Sequence, residues 1–286
     1  MQKPVSAEQL WDTVSYAAKL HKLAQLKRQA LERPGREGAR LGERAALEVR
    51  FTWGLAGLWM AFQPIVSWRQ RAVFGFEALL RSEEPLMKNP ADMLDAAERL
   101  GRLRELGRAV RASVANAAPG APAGAKLFVN LHSADLNDEE LYSPHAPLSR
   151  IAPRVVLEVT ERASLYDVRD VAACVGRLKN LGFQIAIDDL GAGYAGLSSF
   201  AALEPDIVKL DMSLIRGVHQ SEIRQRIVGT MALLCSEMGM RVVAEGVEVA
   251  EERDTARRLG CELFQGYLFA RPGPPFPQIE GGLSGP

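Results

Sequence analysis

Cysteine is scarce in this chain: three among 286 residues, Cys174, Cys235 and Cys261, set far apart with no C-x-x-C spacing. That excludes a disulfide framework and a thiolate zinc ribbon and points to reduced, mostly buried thiols. Histidine offers no alternative, because the four are scattered and only His132 falls near the end of an apolar run, so no zinc site is expected. Neither sign of charge is in excess. With 35 Lys and Arg against 35 Asp and Glu, no basic field steers the protein onto duplex nucleic acid, and any nucleotide has to be recognised locally. Long apolar runs are also missing: the most apolar stretch, Trp53 to Phe62, is about half of the roughly 20 residues a membrane span needs. The N-terminus carries no basic-then-apolar secretory signal. The expected location is therefore the cytoplasm.

The length suits one large barrel plus an appendage. Residues 1–50 differ from the rest, with Leu10, Val14, Ala17, Leu20 and Leu23 at helical intervals and too few heptads for a coiled coil. A helix packed outside the barrel is the simple reading; a signalling or dimerisation helix is the sharper one. Pro34, Gly35, Gly38 and Gly42 read as a helix stop and flexible join before a short helix around Ala45 to Val49. From Leu58 on, short apolar runs alternate with helical patterns. Leu58 to Val66 and Val73 to Leu80 read as two strands joined through Ser67 to Arg71, so the first connection resembles a hairpin. Asn89 and Pro90 then open one helix with a buried stripe at Leu94, Ala97, Leu103, Leu106, Val110 and Val114, which Pro119 to Gly124 ends.

Further strands are expected at Leu127 to Leu131, Val155 to Val159, Phe183 to Ile187, Ile207 to Leu210, Val242 to Ala244 and near Phe264. The helical patterns between them stop at Gly182, Gly239 and Gly260, where helices commonly end. This predicts an α/β chain folded as a closed parallel (β/α) barrel, irregular at its start. The expected boundaries are residues 1–50 for the helical extension, 51–275 for the barrel and 276–286 for a tail, with Pro/Gly-rich character and fraying from Pro272.

Polar residues recur at the ends of these runs: Glu77, Asn130, Glu158, Asp188, Asp189, Lys209 and Glu245. In a barrel the carboxyl ends of all strands converge on one mouth, so residues far apart in sequence meet there. One such carboxylate alone is more often a helix cap or an Arg partner, but the whole series is not. Glu77, Asn130, Glu158 and Asp188 are hard oxygen donors that suit Mg²⁺ or Mn²⁺. Asp189 and Glu245 add charge for a second ion. Neighbouring aspartates on a strand face opposite ways, but at a strand end the backbone turns, so Asp188 can serve both ions. A two-metal site activates a water and stabilises the attacking and leaving oxygens of a phosphodiester. Lys209 is placed to orient that nucleophile or neutralise phosphate, burial and metal charge acting to lower its pKa. Arg81 is placed for a bidentate phosphate contact. Gly191 to Gly196 form a loop able to close over substrate, and Glu161 is placed to hold it.

The strings Glu77-Ala78-Leu79-Leu80-Arg81, Phe128-Val129-Asn130-Leu131, Leu157-Glu158-Val159-Thr160-Glu161, Asp188-Asp189-Leu190-Gly191-Ala192-Gly193-Tyr194, Val208-Lys209-Leu210-Asp211, Ala244-Glu245-Gly246-Val247-Glu248 and Gln265-Gly266-Tyr267 occur in this order. Together they resemble the EAL-domain cyclic di-GMP phosphodiesterases from about Leu58 to Pro272. The resemblance implies a modified TIM (β/α)8 barrel that opens cyclic di-GMP to linear pGpG with Mg²⁺ or Mn²⁺, two ions per site. It assigns Glu77, Asn130, Glu158 and Asp188 to one ion, Asp188, Asp189 and Glu245 to the other, and Lys209 to the attacking water. Gln63, Leu79, Arg81 and Gln265 would line the dinucleotide site, Glu161 would anchor the loop and Glu248 would support the metal cluster. It also implies a homodimer formed beside that loop, with regulation through the N-terminal helix or a partner. Leu190 stands where the family usually has Phe, and Ala195-Gly196 replace small hydroxyl residues; neither change removes a donor. A catalytically silent cyclic di-GMP receptor or scaffold is the alternative. An enolase-like barrel is disfavoured by the Asp188-Asp189 and Gln265-Gly266-Tyr267 strings.

Overall fold

The structure is a computed structural model that describes residues 36–160, 168, 170–191 and 198–279. The helix expected over Leu10 to Leu23, the stop at Pro34-Gly35, Glu161, the loop residues 192–196 and the last residues of the tail lie outside the described residues. The chain divides into two compact units, residues up to 58 with 81–102, and 59–80 with 103–286.

In the first unit, helix α1 (Arg36–Ala56) runs unbroken through Gly38 and Gly42, where a flexible join was expected. It also crosses the expected domain boundary at residue 50. Two helix-interior glycines cost about 2 kcal/mol together, and burial of Phe51 and Ala45, 0% and 2% exposed, offsets a cost of that size. Helix α2 (Pro90–Leu100) starts as the sequence predicts, Asn89 Oδ1 accepting from Ala91 N at 3.3 Å. It packs close to α1, since a Cβ on Gly54 would stand 2.6 Å from Met93 Sδ. The single helix expected beyond Asn89 is in fact two. Gly101 takes φ 68, its N–H closing α2 on Ala97 and Glu98, and α3 (Leu103–Ala117) begins afresh. Of the expected stripe Ala97, Leu106 and Val114 are buried, whereas Leu94 is 40% exposed and Met93, Ala96 and Leu100 join the buried face.

The second unit holds the barrel. Eight strands close in chain order: β1 (Leu58–Ser67), β2 (Ala72–Ser82), β3 (Lys126–Asn130), β4 (Val155–Thr160), β5 (Gln184–Leu190), β6 (Ile207–Leu210), β7 (Arg241–Ala244) and β8 (Leu263–Gln265). From β2 to β8 all neighbours are parallel, while β1 meets β8 antiparallel, Ile65 opposite Gln265. The barrel is thus a modified TIM barrel whose first connection is a hairpin. Helices α4 (Val171–Asn180), α5 (Ser198–Leu203), α6 (Met212–Ile215), α7 (Glu222–Glu237) and α8 (Ala250–Arg258) fill the later crossovers. Gly182, Gly239 and Gly260 follow three of them at φ 99, 75 and 107, conformations that favour glycine.

One crossover departs from strict strand-helix alternation. Between β3 and β4 the chain makes three 3₁₀ segments, Ser133–Asn137, Glu139–Tyr142 and Ser149–Arg154. The first two are fastened to α3 by charge: Arg111 reaches Asp135 and Asp138 at 2.7 Å each, and Arg108 reaches Asp138 at 2.6 Å. The tail also differs from expectation. Phe62 and Gly273 exchange backbone hydrogen bonds at 2.7 and 3.1 Å, and Phe276 packs on Phe62 and Phe76 with centroids 4.4 and 5.0 Å away. A single aromatic anchor therefore docks the start of a segment whose Pro/Gly composition reads as frayed. Among the described residues no helix is long and apolar enough to cross a membrane.

A layer of core side chains prepares the site. Ile65, Phe128, Val156, Ala186, Ile207, Val243 and Leu263, one from each of seven strands, pack together with Phe74 of β2. Side chains on a strand return to the same face every second residue. Two residues on along the parallel strands stand Asn130, Glu158, Asp188, Lys209, Glu245 and Gln265; two residues back on antiparallel β1 stands Gln63. The polar series therefore sits one layer above an apolar floor.

Candidate active site

Lys209 occupies the middle of this upper layer. Its Nζ lies 2.7 Å from Glu158 Oε1, 2.8 Å from Glu245 Oε1, 2.9 Å from Asp188 Oδ1 and 3.4 Å from Glu77 Oε2. Lys209 is 1% exposed and Glu158 0%. An ammonium carries three protons, so it cannot serve four carboxylates. Glu77 is the most distant of the four; Glu158 Oε1 and Asp188 Oδ1 meet Lys209 as ion pairs, and Glu158 Oε2 is buried without a hydrogen-bond partner. Burial raises Glu158 and Glu245 well above the ordinary carboxyl range, with Lys209 opposing and the neighbouring carboxylates reinforcing the shift. Asp189 is raised by burial and by Asp188. Burial opposes the charge of Lys209, but Asp188, Glu158, Glu245 and Glu77 outweigh it and hold its pKa well above the lysine range.

The pair Asp188-Asp189 reaches one site by a different route from the strand-end turn expected. Strand β5 continues to Leu190, but its register against β6 slips between Ile187↔Val208 and Leu190↔Leu210, three steps on one strand against two on the other. Asp189 is the irregular residue, at φ 57. A bulge with a left-handed residue re-aims a side chain, and here it lets both carboxylates join the cluster.

Carboxylate oxygens gather in two overlapping triads, Glu77 with Glu158 and Asp188, and Asp188 with Asp189 and Glu245, each within 4.8 Å. Asn130 Nδ2 donates to Glu77 Oε1 at 3.2 Å, so the amide stands beside the first triad. Five carboxylates against one ammonium, two of them, Glu158 and Asp188, with buried oxygens lacking a hydrogen bond, form a hard-donor set that fits divalent cations.

Above the cluster opens a cavity of about 240 Å³ whose lining includes Gln63, Glu77, Leu79, Asp189, Glu245 and Gln265. Gln265 Nε2 donates to Glu77 Oε2 at 2.5 Å and to Gln63 Oε1 at 3.0 Å, and Gln63 Nε2 donates to Ala270 O at 3.1 Å. This chain fixes both amides and leaves Gln265 Oε1 buried without a partner. Arg81 lies in the first unit, half-buried near the end of β2. Glu248, expected beside the cluster, lines the same cavity, and its carboxylate pairs with Arg216. Sequence reasoning gave no role to Asp211, Met212, Arg216 or Tyr267, which also line the cavity. Asp211 and Tyr267 stood inside quoted strings, whereas Arg216 carried no signal.

A model of the EAL domain matches residues 54–272. Cyclic di-GMP phosphodiesterase PdeR of Escherichia coli is 29% identical over 225 residues, covering 74% of this chain and 33% of that protein. The chain spans about a third of the length of the curated relatives it matches. Among solved structures, a standalone EAL protein of Vibrio cholerae bound to c-di-GMP is 33% identical with TM-score 0.68, covering 80% of this chain and 98% of that one. Klebsiella pneumoniae BlrP1, solved with manganese and cyclic di-GMP, is 30% identical with TM-score 0.66, covering 84% of this chain and 67% of that one. The family is thus shown by a match over most of the chain, and Glu77-Ala78-Leu79, with Glu77 and Leu79 lining the cavity, carries its signature: this chain belongs to the EAL-domain family.

Proposed function

We propose that this protein is a metal-dependent phosphodiesterase that hydrolyses cyclic di-GMP to linear pGpG. The observation that carries the reading is the pair of carboxylate triads sharing Asp188 around a buried ammonium, at the base of a cavity. The similar Klebsiella pneumoniae BlrP1 has been solved with cyclic di-GMP and manganese or calcium, which supports both ligand and cofactor class. Glu77, Asn130, Glu158 and Asp188 would hold one ion, and Asp188, Asp189 and Glu245 a second, Mg²⁺ or Mn²⁺. Bound there, divalent ions supply Lewis acidity, easing deprotonation of water and offsetting charge on the phosphoryl oxygens.

The side chains have separate tasks. Lys209, whose Nζ stands 2.7–3.4 Å from the carboxylates of the two triads, would donate to and orient the attacking water. Water oxygen bonds to phosphorus, the P–O3′ bond breaks, and the 3′ oxygen leaves as a hydroxyl carrying a proton, so one water is consumed per ring opened. Gln265, whose amide nitrogen is already engaged, presents an acceptor oxygen suited to a ligand N–H. Leu79 contributes apolar surface to the cavity and Arg81 a cation for phosphate. Glu161 anchoring the loop after Asp189, a homodimer beside that loop, a regulatory partner for the N-terminal segment and a cytoplasmic location extend this reading on the family resemblance.

The test is turnover of cyclic di-GMP by the full chain with Mn²⁺, with Mg²⁺ and with chelator, followed by chromatography. Metal-dependent appearance of pGpG is expected. Tight binding with no product under any ion would replace this reading with that of a receptor.

A further inference from the structure

The loops that follow β6 and β7 meet at the cavity. The first contributes Asp211, Met212 and Arg216, the second Glu245, Gly246 and Glu248. They are in close contact: a Cβ on Gly246 would stand 2.4 Å from Met212 Cβ. A carboxylate from a third place joins them. Glu252, in the first turn of α8 and 5% exposed, accepts from Glu248 N at 2.9 Å and Val249 N at 3.3 Å through Oε2. Its Oε1 accepts from Gly217 N at 2.8 Å.

The Oε2 contacts are those of an N3 residue capping its helix, where Val249 has no side-chain oxygen to offer. The contact of Oε1 is not. It crosses to the other loop, 35 residues away in sequence, and capping α8 does not require it. A carboxylate this buried is tolerated when its oxygens are bonded, and both are used here on backbone donors of cavity loops. Arg216 and Glu248 add an ion pair across the same junction.

We propose that Glu252 is a positioning residue: it clasps the β6 and β7 loops so that Glu245 is held against Lys209, at 2.8 Å, and Arg216 is held at the rim. It touches no reacting atom. For the identity of the substrate the proposal rests on the phosphodiesterase reading, while the clasp itself can be tested without turnover.

The experiment compares full-length wild type, Glu252→Ala, Glu252→Gln and, as a destabilised control away from the site, Asp138→Asn. Cyclic di-GMP binding is measured by calorimetry in Ca²⁺, KM and kcat in Mn²⁺, and Mn²⁺ affinity by the shift in thermal midpoint. Glu252→Ala is expected to weaken dinucleotide binding and raise KM at least fivefold, to weaken Mn²⁺ affinity at least fivefold, and to lower kcat less than KM rises. Glu252→Gln, with one acceptor oxygen, should fall between, and Asp138→Asn should lower the thermal midpoint without moving KM. If Glu252→Ala lowers the midpoint yet leaves Kd, KM and Mn²⁺ affinity within twofold, Glu252 is a helix cap and the proposal fails. A wild type that binds dinucleotide without turnover rejects the phosphodiesterase reading alone, and Kd still decides on Glu252. Should wild type bind no dinucleotide, the Mn²⁺ titration decides.

Discussion

Lys209 and Glu77 do different work although they lie 3.4 Å apart. Glu77 belongs to the first triad and accepts from Gln265 and Asn130, so it joins the carboxylate cluster to the cavity above it. Glu77→Ala is expected to reduce turnover more than about a hundredfold, beyond the loss typical of an outer-shell partner, with the thermal midpoint little changed; full retained activity would reject the metal assignment. For Lys209→Ala, kcat should fall by more than KM rises, since an ammonium that orients water acts chiefly in the transition state. Equal changes in both would reduce Lys209 to a substrate contact. These residues were legible because each is a charged residue set within an apolar run, Glu77 inside β2 and Lys209 inside β6. Arg216 and Glu252 were not, because nothing in their local sequence tells which distant backbone group they meet.

At the scale of elements, the β3–β4 crossover shows how charge replaces a helix. Asp138 is 2% exposed and takes both Arg108 and Arg111. The hydrogen bond from Arg108, acting against burial, lowers its carboxyl from 3.8 to about 2. A depressed folded-state value means stabilisation that is complete above the unfolded value and is lost as pH falls through the folded one. Asp138→Asn should therefore cost about 2–4 kcal/mol at neutral pH, and the gap to wild type in urea midpoint should narrow as pH falls from about 4 toward 2. A gap independent of pH would sink this account. Asp135 works in the opposite sense, burial raising its carboxyl against the pull of Arg111. Among the helices, the breaks at Gly182, Gly239 and Gly260 could be read from sequence, whereas the break at Gly101 and the continuity of α1 through Gly42 could not. A glycine ends a helix only where neighbouring packing lets it take a left-handed conformation.

For the whole molecule, the apolar layer beneath the site supplies the stability that the acidic layer above it does not. Fully buried side chains such as Phe128 and Leu263 contribute about 1.5–3 kcal/mol each, while mutually repelling buried carboxylates cost stability until cations join them. Mn²⁺ at about a hundred times its Kd should stabilise the fold by about 2.7 kcal/mol, raising the thermal midpoint by roughly 4–6 °C for a chain of this size; chelator should reverse it. No response to Mn²⁺ would remove the metal centre from the account. Ca²⁺ should stabilise as well but support no turnover, its larger and looser oxygen shell holding the nucleophile less well.

The order of strands and the candidate donors were legible in the sequence itself, because period-two burial and a polar residue set in each apolar run are local properties. Barrel closure decided what those donors meet. Only the folded chain brings four carboxylates around one ammonium and so keeps Lys209 charged where burial alone would discharge it. Only the β5 bulge turns Asp189 toward the same site as Asp188. Both outcomes depend on field and register between strands distant in sequence, and no local pattern encodes either.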